Sequence, residues 1–477
     1  MLRTALIALF LFAGISHAKD TIRNPGFEMQ TYGAGVPEHW GVSGEGGSVS
    51  VDSTIARAGT RSARLSREPA TGFVGIIQAI DAEPWAGKAV LARAWFRQKD
   101  AVRAAIWLRA DANDLAQRRF LSVPLPPDAG AEWFQAQTLI EVPREARRIV
   151  FGALVQSGTL WVDSFELLDV DTLPIAAPPP KVSGYVDEAI AKIRAIALNA
   201  DRVDWERART RSFALAGTGD STESAHASVR FLLMLLADDH SVFHSPDDVA
   251  ENRAGGATGA LGAQSRLMGK IGYVSIPGFT STNRERGKSF AEDIQGRIAA
   301  LKSACGWIVD LRDDTGGNMF PMVAGLAPLL DDGPLGYYVD RSSVKTAWSL
   351  STVLPVVGLQ PHPAGGALRE APVAVLMGAR TASSGEATLV SFIGRPRTRT
   401  FGVPSAGRST ANQGASLSDG ASMSITTAVM ADRTGRAYGK KISPDELVLG
   451  NIGDAKDEAI EAATRWLEAQ AACVAAR

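Results

Sequence analysis

The chain has 477 residues, a formal net charge of −1, 45% hydrophobic and 21% charged residues, the balance of a folded globular protein of about two or three domains. That balance, with no dense Lys/Arg run beyond the first residues, excludes a nucleic-acid-binding surface as the main function. Two cysteines exclude a disulfide scaffold and a cysteine zinc site and leave one bridge, Cys305 to Cys473, open.

The opening "MLRTALIALFLFAGISHA" has a basic Arg3, an apolar stretch from Ala5 to Ile15 and a small-residue ending. It reads as a secretory signal peptide over residues 1–18, cleaved after Ala18, because the apolar run is too short to span a bilayer. No later run is long enough to be a transmembrane segment, so an exported protein, periplasmic or secreted, is expected. From 20 to 172, short alternating runs such as "AVLARAWFRQ" and "RRIVFGALVQ", broken by Gly, Pro and Asp, predict an antiparallel β-sandwich. The ordered segments "NPGFE", "HWGVSG", "GTRSARL" and "LWVDSFELLDV" resemble galactose-binding-like jelly-roll domains of the carbohydrate-binding-module kind. That resemblance implies a glycan partner and sets Glu28 and Asp163 where the family often holds a structural Ca²⁺. Trp40, Trp85, Trp95, Trp107, Trp133 and Trp161 are available to stack on sugars, or equally to pack the core and edges.

A Pro-rich linker follows over 173–184. The stretch 185–245 predicts a helical subdomain: Val186, Ile190, Ile193 and Ala197 recur at helical spacing, and "STESAHASVRFLLMLLADD" reads as a second helix running into "DDHS". His240, at or past that helix's end, has a bland explanation in the helix dipole. "SPDDVAENRAGGATGALGAQ" reads as a polar, Gly-rich loop. The strand-like run Trp307 to Leu311, the Gly316-Gly317 turn and a helix over 319–330 place backbone N–H groups where negative charge is favoured. "PVAVLMGARTASSGEATLVSFIG" repeats strand, turn, helix, with Ser383 and Glu386 at the Ser-x-x-Glu spacing of a capping box. Six histidines without a His-Glu-x-x-His pattern make a metal enzyme unexpected.

In chain order "DDHS", "IGYVSIPGF", "IVDLRDDTGG", "PVAVLMGARTASSGE", "TFGVPSAGRSTAN" and "ISPDE" resemble the tail-specific, or C-terminal processing, serine protease family, relatives of the tricorn protease core. The resemblance runs from Tyr185 onward and implies an α/β crotonase/ClpP-like core over 268–470, a peptide or protein substrate and no cofactor. It makes Ser383 the nucleophile and gives the oxyanion to the N–H of Ser384 with that of Gly316 or Gly317. Arg408 stands where the Ser-Lys branch has its lysine, and a guanidinium cannot take a proton from serine. The base is therefore His240, as in the branch that uses a "DxHS" segment. For the group behind His240, Asp432 is preferred over Asp445 and Glu446, with a hydroxyl or backbone carbonyl as alternatives. Too few residues separate Phe243 from Gly269 for the PDZ domain common in such proteases, so the peptide is expected to be held by strand addition or by the helical subdomain. Two further readings stay open: a non-catalytic binding protein on the same fold, and a glycan-binding cell-surface protein acting through the sandwich.

Overall fold

The computed structural model describes residues 21–31, 35–113, 118–127, 129–253, 262–360, 367–450 and 457–474. The expected signal peptide, 1–18, and residues 254–261 of the Gly-rich stretch lie outside them. The chain divides into two compact units. One takes the described residues up to Lys192 together with Arg202–Ala237, the other Ile193–Asp201 together with Asp238 onward.

The first unit is a jelly-roll sandwich. Its strands are β1 (Gly41–Gly44), β2 (Gly47–Asp52), β3 (Ser62–Arg67), β4 (Val74–Asp81), β5 (Ala89–Val102), β6 (Ala105–Ala112), β7 (Arg119–Pro124), β8 (Phe134–Glu141), β9 (Ala146–Val155) and β10 (Ser157–Asp169). They pair antiparallel into two five-stranded sheets, ordered β1-β4-β9-β6-β7 and β2-β3-β10-β5-β8. In β5 the alternation is legible residue by residue: Val90, Ala92, Ala94 and Phe96 enter the core, while Arg93, Trp95 and Arg97 alternate with them. Trp40 packs in that core, its ring centroid 4.9 Å from Phe27 and 5.5 Å from Phe165. Trp95 and Trp161 lie under arginines instead, Arg57 being 4.2 Å above the Trp95 ring. Glu28 and Asp163, the positions matched to a calcium site, accept N–H groups of Thr60 and Arg61, and of Arg57, Ala58 and Ser164. Donors aimed at both carboxylates are the reverse of the oxygen cage that Ca²⁺ requires.

Helix α1 spans Pro180–Ile196, α2 Trp205–Ala216 and α3 His226–Met234. Proline suits a helix start, so residues 180–184 of the Pro-rich stretch are helical. The helical segment is also shared between the units, at Lys192 and again at Ala237.

In the second unit β11 (Val242–His244), α4 (Pro246–Arg253), β12 (Gln264–Met268), β13 (Ile271–Ser275), α5 (Arg284–Ala300), β14 (Gly306–Asp310), α6 (Met319–Gly325), β15 (Gly336–Asp340) and β16 (Lys345–Trp348) come first. Then follow α7 (Leu350–Val356), α8 (Ala367–Glu370), β17 (Val373–Met377), α9 (Ser384–Val390), β18 (Thr398–Gly402), β19 (Thr410–Ser416), β20 (Ser422–Asp432), β21 (Glu446–Leu447), α10 (Glu458–Glu468) and α11 (Ala471–Val474). The expected polar loop after Phe243 therefore contains a helix, and the helix expected over 319–330 ends at Gly325, giving way to a 3₁₀ turn at Ala327–Leu329 that contains Pro328. One sheet runs β12-β13-β14-β17-β18-β21, parallel from β13 onward, and the other is antiparallel, β11-β20-β15-β16 with β19 on β20. Every residue of β14 and β17 is buried, which is why both read as unbroken apolar runs. Ile294, Trp307, Val323, Val375 and Phe392 belong to the core that α5, α6 and α9 make against this sheet.

Cys305 and Cys473 are joined, closing a span of 168 residues. Chain-entropy arguments give such a loop up to about 5 kcal/mol and measured bridges about 2–4 kcal/mol. Cys305→Ser with Cys473→Ser is expected to lose that range in urea unfolding; a loss below about 0.5 kcal/mol would show the bridge idle.

Candidate active site

β14 and β17 are parallel neighbours, so their C-terminal ends release two turns side by side, 311–318 and 378–383. Ligands of open α/β sheets bind at such strand ends. Four contacts tie the first turn to the second and its flanks: Leu311 N–H to Leu376 O of β17 at 2.9 Å, Thr381 Oγ1 to Leu311 O at 2.8 Å, Ala382 N–H to Asp314 O at 3.0 Å and Ser384 Oγ of α9 to Gly317 O at 2.6 Å. The approach needs glycine. A Cβ on Gly316, at φ +98°, would stand 2.9 Å from Ser383 Cβ and 2.7 Å from Ala382 O.

Ser383 sits on the last residue of its turn with φ 53° and ψ −115°, outside the regions an L-residue favours. Such a conformation costs about 1–3 kcal/mol and persists only where the surroundings hold it. Glu386 is what holds it. Fully buried, it accepts the Ser383 N–H at 2.9 Å through Oε2, and Ser405 Oγ at 2.5 Å and the Gly407 N–H at 3.0 Å through Oε1. Burial pushes its carboxyl up, and these donors oppose that. The Ser-x-x-Glu spacing thus marks a real cap, one that also anchors the loop after β18.

His240 comes from the segment before β11. Asp238 shapes it by accepting the N–H groups of His240 at 3.0 Å and Ser241 at 2.7 Å. Ser241 Oγ donates to Asp238 at 2.7 Å and accepts the Thr426 N–H of β20 at 3.0 Å, while Asn412 Nδ2 holds the His240 carbonyl at 2.8 Å. The helix-dipole explanation falls away, since α3 ends at Met234. His240 Nε2 lies 3.0 Å from Ser383 Oγ, and Nδ1 lies 2.6 Å from Thr410 Oγ1 at the start of β19. Burial first, then the charge of Arg408, push the imidazole down to about 4 against the pull of Asp238, so the ring is neutral at pH 7.

The expected residues separate into two groups. Ser383, Ser384, His240, Gly316 and Gly317 are brought together. The N–H of Gly316 is taken by Asp314 Oδ1 at 3.0 Å, whereas those of Ser384 and Gly317 have no hydrogen-bond partner among the described residues. Of the two glycines offered as donors, Gly317 is the one with an N–H left to give. Asp432, expected behind His240, is elsewhere engaged: its carboxylate accepts the Thr434 N–H at 2.8 Å, the Arg436 N–H at 3.2 Å and Tyr438 Oη at 2.6 Å. Burial would raise it, but the hydrogen bonds from Thr434, Tyr438 and the backbone hold it below the ordinary carboxylate range. Asp445 binds Thr400 at 2.9 Å and Glu446 pairs with Arg399 at 3.3 Å, so neither meets the ring. Thr410, Asn412, Asp238 and Asp314 were not singled out by the sequence reading. Thr410 and Asn412 lie inside the quoted "TFGVPSAGRSTAN", whose match to a family segment was the available signal.

Known proteins similar to this chain fall on both of its parts. Residues 270–448 match the family model described as "Peptidase family S41". The chain is 29% identical over 302 residues to a nisin-resistance protein of Lactococcus lactis subsp. lactis, covering 61% of this chain and 89% of the relative. It is similar to the solved structure of a lipoprotein from Streptococcus agalactiae, 26% identical with TM-score 0.54, covering 62% of this chain and 99% of that one. A carbohydrate-binding module in complex with β-1,4-galactotriose covers 32% of this chain and 99% of its own length at 19% identity and TM-score 0.24. The matched span contains both turns, Glu386 and Thr410, with His240 entering from outside it: over residues 270–448 the chain is similar to the peptidase S41 family, whose members are in general serine-type peptidases.

Proposed function

We propose that the chain is an exported serine peptidase that hydrolyses peptide bonds through an acyl-enzyme on Ser383. What supports this is one alignment of atoms, Ser383 Oγ to His240 Nε2 at 3.0 Å and His240 Nδ1 to Thr410 Oγ1 at 2.6 Å. A neutral ring with its proton on Nδ1, donated to Thr410, leaves Nε2 free to accept from the serine. Ser383 Oγ attacks the carbonyl carbon and passes its proton to Nε2. The N–H groups of Ser384 and Gly317 receive the oxyanion. The C–N bond then breaks as Nε2 protonates the leaving amine, and water repeats the sequence on the ester, returning the proton to Ser383.

Thr410 replaces the carboxylate of the Ser-His-Asp arrangement. A hydroxyl orients the ring but offers no charge to an imidazolium, so turnover is set by the ring's own basicity. The joined Cys305 and Cys473 support export, because such bridges persist in oxidising compartments. No helix among the described residues is long and apolar enough to cross a membrane. The likeness to a nisin-resistance protein makes nisin the first substrate to assay. The direct test is a fluorophosphonate at neutral pH, with the label mapped by mass spectrometry. A label on Ser383 is the expected result; none at any pH between about 5 and 9, where His240 is neutral, would favour the binding reading.

A further inference from the structure

Asp314 is fully buried, and the reaction above gives it no task. Its Oδ1 accepts the Gly316 N–H at 3.0 Å, and its Oδ2 has no partner among the described residues. The carboxyl fills the space that a side chain at 385 would need: a Cβ on Gly385 would stand 2.8 Å from Asp314 Cγ and 3.0 Å from Oδ1. Gly385 follows Ser384, and Gly316 precedes Gly317. The group is thus wedged between the two turns that carry the free N–H donors.

No nearby charge compensates it. On its own turn, Arg312 pairs with Asp310 at 2.6 Å and Asp457 at 2.8 Å, and Asp313 lies 3.7 Å from Arg380 of the nucleophile turn. From α9, Glu386 takes Ser383, Ser405 and Gly407; from the opposite side, His240 is bonded to Ser383 and Thr410, with Arg408 acting on that ring. None of these makes an ion pair or hydrogen bond with Asp314 among the described residues. One backbone donor is too little to stabilise a buried carboxylate, and burial pushes this carboxyl up to about 7 against that single bond.

We propose that Asp314 is a positioning residue of the oxyanion site: its Oδ1 takes up the Gly316 N–H and so leaves the Gly317 N–H to the reacting oxygen, and its carboxyl carries a proton while that oxygen becomes an anion. This rests on Ser383 being the nucleophile. When Asp314 ionises, a negative charge arises in a dry site beside the forming oxyanion. Like charges so placed cost at least about tenfold in rate. The site therefore works between the titration of His240 at the acid side and that of Asp314 at the neutral side.

The test is the rate of fluorophosphonate acylation against pH for the wild type and Asp314→Asn, which keeps an acceptor for Gly316 and cannot ionise. The wild type is expected to rise through about 4, where His240 titrates, and to fall at least about tenfold through about 7; the variant rises likewise and stays flat. Coincident profiles, or a fall that persists in the variant and so belongs to Glu386 or another group, overturn the proposal while leaving Ser383 as nucleophile. No labelling of either protein at any pH removes the nucleophile assignment and the proposal with it. Infrared difference spectra of the wild type give a readout independent of the variant's folding. A protonated-carboxyl C=O band that vanishes as pH rises through about 7 is expected, and its absence at about pH 5.5 overturns the proposal.

Discussion

Ser383→Ala is expected to lower peptide hydrolysis by about 10⁴- to 10⁶-fold while leaving the unfolding free energy in urea within about 1 kcal/mol of the wild type. The size follows from the chemistry. With no hydroxyl 3.0 Å from His240 Nε2, covalent catalysis is gone and only the oxyanion donors and substrate positioning remain. The small stability change follows from the backbone. Alanine meets the same resistance at φ 53° as serine, and the N–H that residue 383 donates to the Glu386 carboxylate belongs to the main chain, so the substitution keeps that bond. Nisin or a peptide pool followed by mass spectrometry checks the rate. Residual turnover within tenfold of the wild type would exclude Ser383 as the nucleophile.

His240→Ala is expected to cost nearly as much, about 10³- to 10⁵-fold, because Ser383 then has no base and its hydroxyl is un-ionised at neutral pH. The loop should survive, since Asn412 holds the carbonyl of residue 240 and Asp238 its N–H, neither using the ring. Thr410→Val separates orientation from basicity. It removes the 2.6 Å contact at Nδ1, leaves the ring in place and is expected to cost about 10- to 100-fold. Asp432→Asn serves as the control: its carboxylate caps the 432–436 turn, so the rate stays within twofold or so of the wild type. A loss at Asp432 larger than at Thr410 would reverse the assignment of the group behind His240.

The parts legible in the sequence were those that a few residue types dictate locally. Gly316 and Gly317 read as a turn because only glycine tolerates φ +98° and +122° with another backbone so close. Buried parallel strands read as apolar runs, and "TASSGE" read as a cap that the structure keeps. Asp432 was misjudged although "DRTG" is a turn sequence in its own right, an Asp with Thr two residues on and Gly three residues on, and that turn is where its carboxylate goes. Thr410 was not legible at all. A threonine at a strand start carries no local signal, and its meeting with His240 depends on β19 pairing with β20, including a register shift between Ala411 and Asn412, while β11 pairs with the same strand. Long-range register decides that contact, and sequence spacing does not contain it. The same holds for Asp314, whose burial is set by the turn it is pressed against.

The conformation of Ser383 has an evolutionary side. A residue held at φ 53° and ψ −115° burdens the native state for as long as catalysis demands a side chain there, and glycine would lift that burden. Among descendants freed from selection for hydrolysis, drift at this position therefore runs downhill toward a more stable, silent protein. Retention of serine at 383 is costly to the lineage, and so it records continuing use of the site more faithfully than retention of Glu386, which the fold would keep for its own sake.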